Sequence, residues 1–168
     1  MYLCVDVHYS ETGALAAGVV FEEIDSCVIT GEYIKKISRV SDYSPGHFYK
    51  RELPAILELL REVEHGIKTI IIDGYVWLST DMRPGLGAHL YTALARKIQV
   101  IGVAKNAYKN ASMAALLYRG RSRKPLYVTA AGMENELAVH LVKKMHGPHR
   151  LPTQLKYVDR LSRMSSFT

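Results

Sequence analysis

The chain changes its hydrophobic period part-way along. From Tyr2 to Ile37 apolar residues come in short runs broken by polar turns; beyond Leu53, runs with three- and four-residue spacing alternate with short apolar stretches. "YLCVDVHY" (2–9), "ALAAGVVF" (14–21) and "CVITGEYIKKI" (27–37) read as three strands, and their short connections favour an antiparallel meander. Pro45 and Gly46 break the pattern in "SDYSPGH". A helix is predicted from "LPAILELLREV", where Leu53, Ile56, Leu57, Leu60 and Val63 share a face and Pro54 suits a first turn. "TIIID" (69–73) is a fourth strand. "GLGAHLYTALARK" (85–97) is a helix with Leu86, Leu90, Ala93 and Leu94 on one face, and "VIGVA" (100–104) is a fifth strand. "KPLYVTA" (124–130) predicts a further strand. "ENELAVHLVKKM" (134–145) predicts a helix with Leu137, Leu141, Val142 and Met145 inward, stopped by Gly147, and "TQLKYVDRLSRM" predicts a last helix.

A meander followed by alternating helix and strand predicts a mixed α/β layer fold. If a helical crossover returns strand four beside strand one, the sheet is ribonuclease H-like: three antiparallel strands, then parallel strands, with flanking helices. A doubly wound sheet is the alternative, but no G-x-G-x-x-G follows the first strand, which argues against a dinucleotide enzyme. A length of 168 residues suits one domain, 1–168. The apolar runs are far shorter than a bilayer span, so no membrane partner is expected. No basic segment with an apolar run precedes the first strand, so a cytoplasmic chain without a signal peptide is expected. Cys4 and Cys27 lie in apolar stretches, are expected to be buried free thiols, and do not make a zinc site. Nothing in the pattern calls for an obligate protein partner.

Charge changes this picture. The net charge is +6, but residues 1–81 carry 7 Lys/Arg against 13 Asp/Glu, and residues 82–168 carry 15 against 3. A basic half points to a polyanionic partner, DNA or RNA above all, or to a merely solvated surface. The acidic half contains carboxylates in unusual places. Leu3, Val5 and Val7 share one face of strand one; Cys4, Asp6 and His8 share the other. Asp73 ends the buried fourth strand. Taken singly, each carboxylate could cap a turn or pair with an arginine; if these strands are neighbours, Asp6 and Asp73 enter one cleft, where two carboxylates demand protons or a hard cation. Glu52 stands at a helix start, where a carboxylate is also favoured by the free N–H groups. Asp159 lies one turn beyond Leu155 and can edge inward, or pair with Arg163. Lys105 closes strand five, where it can neutralise a phosphate or developing charge, or simply point into solvent. "YRGRSRKP" (118–125), with Arg119, Arg121 and Arg123, reads as a phosphate clamp or as an exposed loop. Carboxylate-held Mg²⁺ is a known solution for phosphodiester hydrolysis.

These residues in this order resemble the endonuclease V family, the deoxyinosine 3′-endonucleases. "DVHY" (6–9) is similar to the family's Asp-Val-x-Tyr strand. "YSPGHFYKRELP" (43–54) is similar to its Tyr-x-Pro-Gly…Arg-Glu-x-Pro motif, "IDGY" (72–75) to its Asp-Gly step, and "HRLPTQLKYVD" (149–159) to its Arg-Leu-Pro…Asp motif. "GLGAHL" and "IGVAK" fit the helix and strand between. The resemblance implies a ribonuclease H-like fold and a metal-dependent endonuclease cutting one nucleotide 3′ of a deaminated base. Asp6, Glu52, Asp73 and Asp159 would bind Mg²⁺ or Mn²⁺, and metal-activated water would attack the phosphodiester, leaving 3′-hydroxyl and 5′-phosphate ends. Lys105 would support the scissile phosphate. Tyr43 would be the wedge that replaces an extruded base in the stack. Pro45, Gly46, Phe48, Gly74 and Arg83 would complete the contacts to nucleic acid, with Gly46 and Gly74 allowing close backbone approach.

The chain also departs from the family. Where members commonly read Asp-Gly-His-Gly, it has Tyr75 and Val76; Arg83 precedes Pro84, and a later Gly-His step is altered in "TAAGMENE". The metal ligands are retained and the base-pocket stretch is not. Three readings follow: an inosine endonuclease, a nuclease of the same fold for another lesion or for structured nucleic acid, and a nucleic-acid-binding protein without catalysis.

Overall fold

Strands β1 (Tyr2–Ser10), β2 (Gly13–Phe21) and β3 (Gly31–Ile37) form the predicted meander, with β1 paired antiparallel to β2 and β2 to β3. The structure is a computed structural model that describes residues 1–10, 13–38, 49–63, 66–109 and 112–164. Helix α1 (Tyr49–Leu60) leads to β4 (Thr69–Asp73), which pairs parallel to β1 with Leu3 opposite Ile70 and Val5 opposite Ile72. Helix α2 (Leu86–Ala93) leads to β5 (Gln99–Ala104), parallel to β4. Two further strands, β6 (Ala115–Leu117) and β7 (Leu126–Ala131), extend the sheet in antiparallel fashion, and α3 (Asn135–Lys144) and α4 (Thr153–Met164) close the chain. The strand order is β3-β2-β1-β4-β5-β7-β6. A central β1 flanked by an antiparallel meander on one side and parallel strands on the other is the expected ribonuclease H-like arrangement.

Each face of the sheet buries its own core, because the pleat sends alternate residues to opposite sides. Leu3, Val5, Val7, Ile70 and Ile72 pack under α1 and α2. Cys4, Ile71, Ile101 and Val103 pack under α3 and α4 with Val142, Leu155 and Val158. The same alternation places Asp6, Asp73 and Lys105 on the α4 side: Asp6 in the middle of β1, just past its last pair with β4, Asp73 at the end of β4 and Lys105 just beyond β5.

Several local expectations are corrected. Helix α1 begins at Tyr49, so Pro54 lies in its second turn; it removes only the N–H that would meet the Lys50 carbonyl, and its ring is exposed. The deepest residues of α1 are Ala55, Ile56 and Leu59, with Leu53, Leu57 and Leu60 half-buried. Helix α2 stops at Ala93, which is exposed, because Ala95 and Arg96 turn at φ 53° and 59° to feed β5. Leu137 is 48% exposed; Ala138 takes the inward place in α3. Strand β3 starts four residues later than predicted, and Cys27 in the preceding loop is exposed, while Cys4 is buried as expected. The three-residue β6 was too short to read from its pattern.

Beyond Asp73 the chain crosses the α2 face of the sheet instead of leaving it. The Val76 amide donates to Thr129 Oγ1 of β7 at 2.8 Å, and the Trp77 indole N–H donates to the Ala130 carbonyl at 2.9 Å. Val76 is fully buried. This crossing passes directly over Gly102, where a Cβ would stand 2.6 Å from the Gly74 carbonyl oxygen and 2.9 Å from the Val76 nitrogen. A side chain on an extended strand normally favours β structure; here it collides with backbone. Gly102→Ala is therefore expected to destabilise the fold by about 1–3 kcal/mol, the range for overpacking, read as a lower urea midpoint at unchanged slope.

Candidate active site

Three aspartates from three elements meet at the sheet end. Asp6 comes from β1, Asp73 from β4 and Asp159 from α4, and one carboxylate oxygen of each lies within 4.8 Å of the other two. The parallel register brings the first two together, since β1 and β4 run in step up to the pair Val5–Ile72. Asp159 follows the buried Leu155 and Val158 on α4, so its carboxylate turns toward the strand ends while Arg163 holds Oδ1 at 3.1 Å. Both readings of Asp159 thus hold at once.

Lys105 answers part of the negative charge. Its ammonium lies 2.6 Å from Asp73 Oδ2 and 3.8 Å from Asp159 Oδ1. Burial works to lower its pKa, but the bond to Asp73 and the fields of Asp73, Asp159 and Asp6 outweigh it and hold Lys105 charged. Burial also pushes the Asp6 carboxyl up, a hydrogen bond from Ser162 offsets part of this, and the neighbouring Asp73 and Asp159 push it up further. One lysine among three aspartates leaves the cluster short of positive charge. A void of about 10 Å³ lies between Asp6, Asp73, Lys105 and Asp159, on the scale of a single water-sized sphere. Hard oxygen donors around such a void fit a divalent cation of the Mg²⁺ kind.

Glu52 is near this group but outside it. It projects from α1, on the opposite face of the sheet, and is buried at the strand ends. Burial, then the charges of Asp6 and Asp73, push its carboxyl up to about 9, against a smaller opposing effect of Arg51. Arg51 itself stacks 4.1 Å over the Tyr9 ring.

A cleft of about 650 Å³ adjoins the aspartates and shares Asp73 and Lys105 with them; Tyr49, Gly74, Tyr75, Asn106 and Tyr108 line it further. Gly74, at φ 144°, faces open space. The Tyr75 hydroxyl donates to the Asn106 carbonyl at 2.8 Å and accepts from the Tyr108 amide at 3.1 Å, which ties the β4 and β5 exits together. The stretch "GYVWL" therefore divides: Tyr75 is cleft wall, Val76 is core and Trp77 packs half-buried against that core.

The basic residues divide as well. Arg119, expected in a phosphate clamp, is 7% exposed, and its two terminal nitrogens donate to the carbonyls of Met145, Gly147, His149 and Arg150. It holds the turn after α3, whose carbonyls no longer have helical partners. Arg121 and Arg123 are exposed in the loop, and Arg83 is exposed beside Pro84. Tyr43, Pro45, Gly46 and Phe48 lie outside the described residues. Two contributors escaped sequence reasoning. Ser162, fully buried, donates to Asp6 Oδ2 at 2.6 Å; its signal was a small polar residue one turn past Asp159 on the apolar face of α4. Arg150 donates through Nη2 to the carbonyls of Lys105 and Pro125 and so braces the lysine strand end; nothing in a one-dimensional pattern marks that contact.

Known proteins share this layout. The family model for endonuclease V matches residues 2–160. The endonuclease V of Azotobacter vinelandii is 28% identical over 177 aligned positions, covering 94% of this chain and 80% of that protein. That of Nostoc punctiforme is 29% identical over 140 positions, covering 71% of this chain and 62% of its own length. Among solved structures, Ciona intestinalis endonuclease V in complex with a 24mer DNA containing an inosine followed by a ribo-adenosine superposes with a TM-score of 0.81 at 19% identity, covering 98% of this chain and 85% of that one. With nearly its whole length matched by the family model, the chain belongs to the endonuclease V family of nucleic-acid endonucleases.

Proposed function

We propose that the chain, acting as one domain over residues 1–168, hydrolyses a phosphodiester 3′ to a deaminated base, inosine, in DNA or RNA, and that it requires Mg²⁺ or Mn²⁺. The observation that carries this reading is the meeting of Asp6, Asp73 and Asp159 within 4.8 Å, beside a lysine and an open cleft of about 650 Å³. Asp6, Asp73 and Asp159 would hold the ion, with Glu52 closing the site from the other face. When bound, such an ion stabilises charge on the phosphoryl oxygens and makes water acidic enough to attack at neutral pH.

The protein groups have separate tasks. Lys105 neutralises the phosphate and stays fixed because Arg150 holds its carbonyl. Ser162 orients the Asp6 carboxylate. The cleft takes the extruded base, with Gly74 exposing backbone at its edge and Tyr49, Tyr75 and Tyr108 shielding it from water. Extrusion costs a few kcal/mol, about what a well-packed aromatic pocket returns. A second reading, another altered base as target, is favoured by one observation. Tyr75 and Val76 stand where the family commonly has His-Gly, and the Tyr75 hydroxyl is already engaged with the Asn106–Tyr108 loop.

The direct test is incubation of single-stranded DNA and RNA, each with one inosine, with and without Mg²⁺. Cleavage one nucleotide beyond the lesion is expected only with metal. Asp6→Ala and Asp73→Ala should each lower the rate at least about 100-fold, and Lys105→Met about 10²–10³-fold with Mg²⁺ affinity retained. Metal-independent cutting, or full activity of Asp73→Ala, would refute the reading; a cut at other lesions but not inosine would select the second.

Stability against pH gives an independent check. The Glu52 carboxyl binds its proton more tightly in the folded state, so the folded chain holds more protons than the unfolded one. Without metal, stability is therefore expected to fall as pH rises from about 4.5 to about 9. Glu52→Gln should flatten that slope in thermal melts done in chelator. Added Mg²⁺ should raise the melting temperature more at pH 8 than at pH 5, where protons compete for the carboxylates.

A further inference from the structure

The far edge of the sheet carries a row of large apolar side chains that, among the described residues, no helix covers. In β6, Leu117 is buried on the α3 side, which sends Leu116 and the following Tyr118 to the opposite face; they are 54% and 57% exposed. Leu116 lies across the ladder from Tyr127 of β7. The Tyr127 ring is centred 6.4 Å from that of Tyr75, which lines the cleft beside Asp73 and Lys105. Tyr75, Tyr127, Leu116 and Tyr118 thus form a continuous row from the cleft to the sheet edge. The step from Tyr127 to Leu116 is one strand spacing, about 4.8 Å, and the step from Leu116 to Tyr118 is two residues along the chain, about 6.6 Å.

The row ends in cations, and both ends are fixed. Arg121 and Arg123 follow Tyr118 in the loop and are exposed. The intervening Arg119 points inward and anchors the loop to four backbone carbonyls. At the other end, the Tyr75 ring is pinned through its hydroxyl. Arg150 joins the two regions by binding the carbonyls of Lys105 and Pro125 together. Rigid aromatic faces interleaved with surface arginines match the chemistry of an unpaired nucleic-acid strand, whose bases stack on rings and whose phosphates meet cations. A duplex would hide its base faces from such a row.

We propose that Tyr127, Leu116 and Tyr118, continued by Arg121 and Arg123, form a track for a single-stranded segment leading away from the cleft. Tyr118 stacks on a base, and the two arginines meet phosphates. The proposal rests on the reading of the cleft as a nucleic-acid site, but its test needs neither metal nor lesion. The measurement is fluorescence anisotropy in chelator, with an unmodified labelled oligonucleotide of about 20 nucleotides, single-stranded and as duplex. Tyr118→Ala should weaken single-strand binding about tenfold and leave duplex binding within about twofold, while Tyr118→Trp restores it. Arg121→Gln with Arg123→Gln should lower the slope of log affinity against log salt by about 1.4 for single strands. The track is overturned if Tyr118→Ala binds single strands like wild type, if single-strand and duplex binding fall equally, or if Trp fails to rescue. Absence of cleavage at inosine with these binding shifts intact would refute the catalytic reading and leave the track standing.

Discussion

The repulsion between Asp6 and Asp73 organises this end of the molecule. Parallel pairing of β1 and β4 leaves no freedom to separate them, because the register that buries Leu3 against Ile70 and Val5 against Ile72 also aligns the two carboxylates. A one-residue slip would separate the two carboxylates but turn the slipped strand inside out, at the cost of its packing in both cores. The fold therefore holds the charges together and compensates locally. Lys105 arrives from β5, Ser162 donates from α4, and Arg163 draws on Asp159. These contacts are incomplete compensation, since Asp6 and Glu52 both remain pushed toward their protonated forms. An acidic cluster held together in this way is compatible with a divalent cation.

The route of the chain after Asp73 is the second consequence. A strand that ends in a buried-side carboxylate must deliver its next residues somewhere, and here they fold back over β5 and β7. Thr129, Ala130 and Gly102 accept that passage, the first two by hydrogen bonds and the third by having no side chain. The passage fixes Tyr75 as cleft wall. Core packing and the cleft wall are thus set by the same passage of chain.

Much of this was legible in the sequence. The alternation in "YLCVDVHY" separated Asp6 from Val5 and Val7, and the five-residue run "TIIID" ended where its carboxylate was needed, so strand neighbours and convergent acids could both be read from pattern. Periodicity failed where a residue's environment depended on distant chain. Leu137 and Ala93 had helical spacing but no partner surface, Cys27 sat before the strand it was assigned to, and β6 had three residues and no period. Glu52 was found at its helix terminus, but its position on the opposite side of the strand ends from α4 depends on which face α1 covers. Ser162 and Arg150 act through hydrogen bonds to residues 25 to 156 positions away, and spacing rules carry no information at that range.

The charge split between the two halves takes on a more specific meaning in three dimensions. The acidic half supplies Asp6 and Asp73, with Glu52 close by; the basic half supplies the third aspartate, Asp159, together with Lys105 and the loop with Arg121 and Arg123. Raw charge overstates what that half offers to a polyanion, because Arg119 and Arg150 are bound to backbone carbonyls. Those two inward arginines nonetheless serve the same end. A surface cation on a loose loop loses much of its attraction to the entropy of ordering. By fastening the loop and the Lys105 strand end to the rest of the fold, Arg119 and Arg150 let the exposed cations act from a prearranged position, so that part of the basic half works by holding the other part in place.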